Sequence, residues 1–180
     1  MSIAFDLHLT SEAELGTGMA SQYLNSILAR DSKGKPFLRA THLKGLLRQS
    51  LKDLLLPHQD EANIGKNSKT LEDLIFGREG DESDDGVSSS VEVADATCFQ
   101  EVKILEISRT AIGLRGIAKD TSLRTVESIA AGTVFSGTAH LNAPTRSAQD
   151  LGLRCALMTL QAVGGSRNRG AGACYVEIKN

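Results

Sequence analysis

The sequence predicts an α+β fold built on a βαββαβ core. Three observations carry that prediction. A period-two apolar pattern opens the chain at Ile3, Phe5, Leu7 and Leu9. Two segments, 40–56 and 148–163, carry apolar residues at helical spacing. Strand-type residues recur between these helices over 87–141, and again after the second helix. A chain of 180 residues accommodates one well-cored domain. The whole of 1–180 is read as that domain, with insertions near 11–35, 57–86 and 99–130.

Each element has a local reason. Residues 3–10 alternate apolar and polar, as a half-buried strand requires. Residues 11–35 read as loop, punctuated by Gly16, Gly18 and Gly34, and Pro36 limits helix there. The clearest helix spans 40–56. Leu43, Leu46, Leu47, Leu51, Leu54 and Leu55 share one face, and Pro57 stops it. Lys44, Arg48 and Lys52 recur every four residues and form a basic ridge. Residues 58–69 are polar and loop-like. A short helix over 70–76 ends at Gly77, and 78–86 is an acidic loop.

Strand residues follow over 87–97, and a further strand and turn over 101–116. Residues 124–141 hold two strands around Ala131-Gly132. Ser147 with Asp150 resembles a capping box, and the helix behind it runs to Gly164. A last strand covers 173–178. This order fits a ferredoxin-like core carrying long insertions, and no fixed-period repeat is present.

Composition narrows the function classes. No basic-then-apolar leader opens the chain, because Asp6 and His8 interrupt it, and no apolar run reaches membrane length. No membrane association is expected. Cys98, Cys155 and Cys174 form no CxxC pair, so neither a zinc site nor a disulfide framework is suggested. A reducing cytoplasm is the expected location. Residues 1–100 hold ten Lys/Arg and sixteen Asp/Glu, whereas 101–180 hold ten and six. The overall charge of −2 argues against a strongly nonspecific nucleic-acid binder. The positive C-terminal part still permits a local basic groove.

The C-terminal run Gly164-Gly165-Ser166-Arg167-Asn168-Arg169-Gly170-Ala171-Gly172 is the most informative motif. Glycines let a polyanion approach backbone N–H groups while guanidinium groups grip it. A helix cap followed by a tight turn is the competing structural reading. The second site is the helix start, Thr41-His42-Leu43-Lys44-Gly45-Leu46-Leu47-Arg48. Free N–H groups there attract anions, and Lys44 and Arg48 add charge. A solvated basic face is the alternative.

Leu43-Lys44-Gly45-Leu46-Leu47-Arg48 resembles the Leu-Lys-Gly helix of the RAMP superfamily of CRISPR systems. Pro36-Phe37-Leu38 is similar to that family's lead-in, and Ile75-Phe76-Gly77 to its Phe-Gly element. Arg109-Thr110-Ala111-Ile112 and 130–135 resemble its central blocks, and the glycine loop resembles its ending. The blocks keep the family's order across most of the chain.

The resemblance is strongest to backbone subunits of type III effectors. It implies a ferredoxin-like, RRM-like core with a thumb-like β insertion. It also implies an antiviral ribonucleoprotein in which guide RNA, complementary target RNA and other effector subunits are the partners. By position, Lys44, Arg48, Arg167, Asn168 and Arg169 would meet guide phosphates. Arg109, Arg115 and Lys119 would belong to the thumb. Such contacts position RNA without reading its sequence.

One departure bears on cleavage. The family's target-cleaving Asp aligns with Asn25, and an amide supplies neither a base nor an anionic metal ligand. Little intrinsic cleavage is therefore expected, with Asp31 the fallback if the register shifts. No cofactor is expected, and a divalent metal only if the site cleaves. The alternative function is a RAMP-type endoribonuclease that processes precursor guide RNA, with His42 as general acid/base. Other matches are weaker. Asp81, Ser83, Asp85, Gly86 and Glu92 fit calcium-loop spacing, but the following segment reads as strand. Ile112-Gly113-Leu114-Arg115-Gly116 resembles a KH-type loop without flanking helices.

Overall fold

The structure is a computed structural model, and residues 1–55, 70–80, 85–113 and 116–179 are described. Strand β1 (Ser2–Leu9) lies inside the main sheet. It pairs antiparallel with β7 (Val134–Leu141) on one side and β8 (Cys174–Ile178) on the other. Beyond β7 lie two short strands that follow one another in sequence, β3 (Val91–Val93) and β4 (Ala96–Thr97). The two-residue β2 (Phe37–Leu38) completes the far edge against β4. The path is β2-β4-β7-β1-β8, with β3 also on β7.

The period-two pattern does what it predicts. Ile3, Phe5, Leu7 and Leu9 are all buried, while the residues between them are not. Helices α1 (Ala40–Leu55), α2 (Leu71–Phe76) and α3 (Ala148–Met158) cover the apolar side. Leu43, Leu47 and Leu51 of α1 join Leu153, Ala156 and Leu157 of α3 in one core with the strands. Burial of each of these leucine side chains contributes about 1.5–3 kcal/mol. A separate antiparallel hairpin, β5 (Ile104–Arg109) and β6 (Arg124–Ile129), stands off this sheet. The 11–35 segment straps it to the body through bridges at Ala13–Ile129 and Ser26–Val126.

Several expectations shift. The second long helix ends at Met158 rather than running to Gly164. Residues 161–163 instead pair with 172–174, where the chain enters β8: Val163 N–H donates to Gly172 O (2.8 Å) and Cys174 N–H to Gln161 O (2.8 Å). Extension there buries Val163, which one more helical turn would not place against the strand. Only half of the expected capping box forms at Ser147. Its hydroxyl accepts from Asp150 N–H (3.2 Å), but the Asp150 carboxylate turns to Arg146 N–H (2.7 Å) and Arg154 (2.8 Å). A complete box sits instead at Thr70 and Asp73, opening α2.

The strand expected over 87–97 is split into β3 and β4. Asp95, in the break, accepts from Ala40 N–H (2.7 Å), so the start of α1 is capped from another part of the chain. Gly113 and Gly116 turn the end of the hairpin region between strands, not helices. Cys98 and Cys174 are buried, and burial pushes the Cys174 thiol up to about 12. The Pro57 stop, the polar segment 58–69, Asp81 and Ser83 of the calcium-like spacing, and Arg115 lie outside the described residues.

Candidate nucleic-acid interface

The glycine loop is a laced structure. Gly165 N–H donates to Glu14 O (2.8 Å) and Gly172 N–H to Glu12 O (2.6 Å). Two glycines are required by space and not only by freedom. A Cβ on Gly172 (φ +74°) would lie 1.8 Å from Val163 O, and one on Gly164 (φ +80°) 2.6 Å from Glu14 O. Between them Arg167–Arg169 make one 3-10 turn, flanked by Ser166 and Gly170 in left-handed conformation. Arg167, Asn168 and Arg169 are exposed, and their side chains hold no partner among the described residues.

A half-buried polar knot anchors the loop from below. Ser166 Oγ donates to the Glu14 carboxylate (3.0 Å). Arg109, at the end of β5, donates to Ser166 Oγ (3.0 Å) and to the Glu14 carboxylate. The hairpin, the 11–35 strap and the glycine loop therefore meet at one cluster. On the other side, Gly164 N–H donates to Nε2 of His42 (3.2 Å), in the first turn of α1. That places the ring proton on Nδ1 of a neutral imidazole. Burial, and then the Arg167 charge, hold His42 below its ordinary value.

A groove of about 560 Å3 opens between the start of α1 and Gly164-Gly165. Leu15, Phe37 and Leu38 line it, with Arg39 and Thr41 beside them. Arg39 is exposed in this lining, whereas the exposed Arg167 lines a second groove further along α1, with Leu46, Gln49 and Ser50. Arg39 brings positive charge to the start of α1, where the Asp95 carboxylate already accepts from Ala40 N–H.

The structure does not bring every predicted site residue here. Lys44 is turned under β3, donating to Ser89 Oγ (2.6 Å) and Val91 O (3.2 Å), and burial lowers its pKa. Arg48 pairs with Glu72 (2.5 Å) and lies 4.0 Å from Asp73. Arg109 serves the knot. Arg48 is thus drawn into pairing by the acidic first turn of α2, and Lys44 by Ser89 and Val91, partners that the spacing on α1 alone does not reveal. Lys119 is exposed between β5 and β6, where its N–H donates to Ala111 O (2.8 Å). Arg39, which the sequence does not single out, belongs to the groove instead.

Asn25 bridges the strap to β6: its N–H donates to Thr125 O (2.7 Å) and its side-chain oxygen accepts from Thr125 N–H (2.8 Å). Asp31 closes a turn, accepting from the N–H groups of Lys33 and Lys35 (both 2.9 Å). Among the described residues, no group of three or more His, Cys, Asp or Glu side chains is placed to hold a metal. Among them too, no helix is long and apolar enough to cross a membrane.

Solved structures share this architecture. The chain is similar to a subunit of the type III-B Cmr-beta complex in its apo state, at 12% identity and a TM-score of 0.73. That match covers 99% of this chain and 97% of the other. The same complex bound to cognate target RNA gives 12% identity, a TM-score of 0.72 and the same coverage. A chain of a type IV-B CRISPR complex matches at 15% identity and a TM-score of 0.70, over 99% and 90% of the two chains. No curated protein sequence registers as a relative. The family model of the RAMP superfamily, however, matches residues 8–175, nearly the full length, and the chain belongs to that superfamily.

Proposed function

We propose that the chain is a guide-RNA-binding backbone subunit of a type III CRISPR effector ribonucleoprotein, holding guide and target RNA for antiviral defence. The observation that carries this reading is the rigid glycine loop. It presents Arg167, Asn168 and Arg169 without side-chain partners among the described residues, Arg167 lining a groove along α1. Contacts from such a loop go to phosphates and leave sequence selection to base pairing. Similarity to subunits of CRISPR complexes, one of them bound to target RNA, supports the same partners.

We read the sheet as a ferredoxin-like core. Taking β3 and β4 as one broken strand, the four positions run β8, β1, β7, β3/β4, with α1 and α3 on one face. The β5–β6 hairpin then takes the thumb's place, with Lys119 in the segment that joins its two strands. His42 favours the subunit over a guide-processing nuclease, because its Nε2 is committed to Gly164 N–H and is unavailable to accept a 2′-hydroxyl proton. Asn25 supplies no carboxylate, so target cleavage at this subunit is weak. The test is purification of the native particle from host extract under mild salt. RNA of defined guide length should copurify with this chain and other subunits. A monodisperse, RNA-free protein would refute the reading.

A further inference from the structure

The groove beside the glycine loop has a chemistry that phosphate binding does not use. Its lining includes Leu15, Phe37 and Leu38, of which Leu15 and Leu38 are buried and Phe37 is half-buried. A phosphate settling on such a surface would shed water with nothing to replace it. Around the apolar part stand hydrogen-bonding groups that the fold leaves idle. Ser26, Thr41 and Arg39 line the same groove, and their side chains have no partner among the described residues. Apolar lining with a few free polar groups is the pattern of a site for a flat, heteroatom-edged ring.

We propose that this groove seats one nucleobase of the bound RNA; the proposal rests on the RNA-binding reading above and adds a base contact to it. The base packs against Phe37 and the two leucines. Its edge meets the Ser26 and Thr41 hydroxyls, and Arg39 and the Arg167 loop hold the adjoining phosphates. The volume of about 560 Å3 lies inside the range of small-molecule sites. An apolar side chain from a neighbouring protein could use the same lining, but it would gain nothing from the Arg39 guanidinium beside it. Ser and Thr hydroxyls donate or accept equally well, so the seat tolerates any base, as a guide-loaded protein needs.

The test compares two oligoribonucleotides of equal length and phosphate count on the full chain. One is oligouridine, and the other has abasic ribose at alternate positions. The unmodified protein should bind the abasic strand at least about fivefold more weakly, the low end for base stacking on an aromatic side chain. Phe37→Leu should shrink that gap below about twofold and leave the salt slope unchanged. Photocrosslinking of a 4-thiouridine strand to the unmodified protein gives a readout that needs no variant, and the adduct should map to the 26–42 segment. Equal binding of both strands, with adducts elsewhere, overturns the base seat while RNA binding stands, and leaves the lining to a protein side chain. No binding of either strand overturns the RNA reading and this inference together.

Discussion

Replacing both Arg167 and Arg169 with Ala should change the salt dependence of RNA binding by an amount the structure fixes. Each side chain is exposed and without a partner among the described residues, so each is taken to neutralise one phosphate. On single strands the log–log salt slope falls by about 0.7 for each phosphate no longer neutralised. Removing both guanidinium groups therefore flattens it by about 1.4, or about sevenfold in relative affinity between roughly 50 and 200 mM salt. Fluorescence anisotropy with two unrelated RNA sequences measures this directly. Both sequences should weaken alike, since a phosphate carries no sequence.

Arg48→Ala is the internal comparison. Its guanidinium is engaged by Glu72 and Asp73, so its removal should leave the slope unchanged. The reasoning fails if the double variant keeps the wild-type slope, if only one sequence is affected, or if Arg48→Ala flattens the slope as much.

Gly172→Ala should lower the melting temperature by several degrees, because it adds a Cβ against Val163 O to an unfavourable backbone worth about 1–2 kcal/mol. Gly170→Ala, at a left-handed position with open space, should cost less; equal melting of the two variants would contradict the packing argument. His42 is held below its ordinary value, so the folded state binds its proton less readily than the unfolded chain. Its contribution is complete above the ordinary imidazole value near 6.5 and is lost as pH falls through the lower folded-state pKa. Thermal melts at pH 7.5 and 5.5 should therefore differ less in His42→Gln than in the wild type, and an identical pH response would refute the assignment. Asn25→Asp keeps an oxygen to accept from Thr125 N–H, so the assembled complex should form normally. With divalent metal present, it should gain a cut in the target opposite this subunit. If the unmodified complex already cuts there, and Asp31→Asn abolishes that cut while preserving the turn, Asp31 is the catalytic carboxylate.

The sheet and helices are legible in the sequence where one physical signal dominates: alternation for β1, a leucine face for α1, a turn at Ala131-Gly132 between β6 and β7. Legibility fails where long-range pairing decides the outcome. Nothing local to 159–163 announces that Val163 will pair with Gly172, so helical spacing alone overruns the end of α3. The glycine loop stands out because its composition is unusual. The groove does not, since Leu15, Phe37 and Arg39 come together only through folding. Lys44 and Arg48 show the converse limit. Helical spacing places cations on one ridge, but only the tertiary partners Ser89, Glu72 and Asp73 reveal that they are occupied.

The backbone lacing of the glycine loop bears on the thermodynamics of assembly. A free nine-residue loop would lose conformational entropy at the moment RNA arrives, at about 1–2 kcal/mol for each residue fixed. Here Glu12, Glu14 and Val163 hold the loop's backbone before any ligand is present. The ordering cost is met during folding, inside a cooperative transition supported by the whole core. RNA then meets donors already arranged, and its charge neutralisation goes into affinity instead of into shaping the protein. Binding at this loop should accordingly show little change in amide exchange protection across 164–172, whatever guide is loaded.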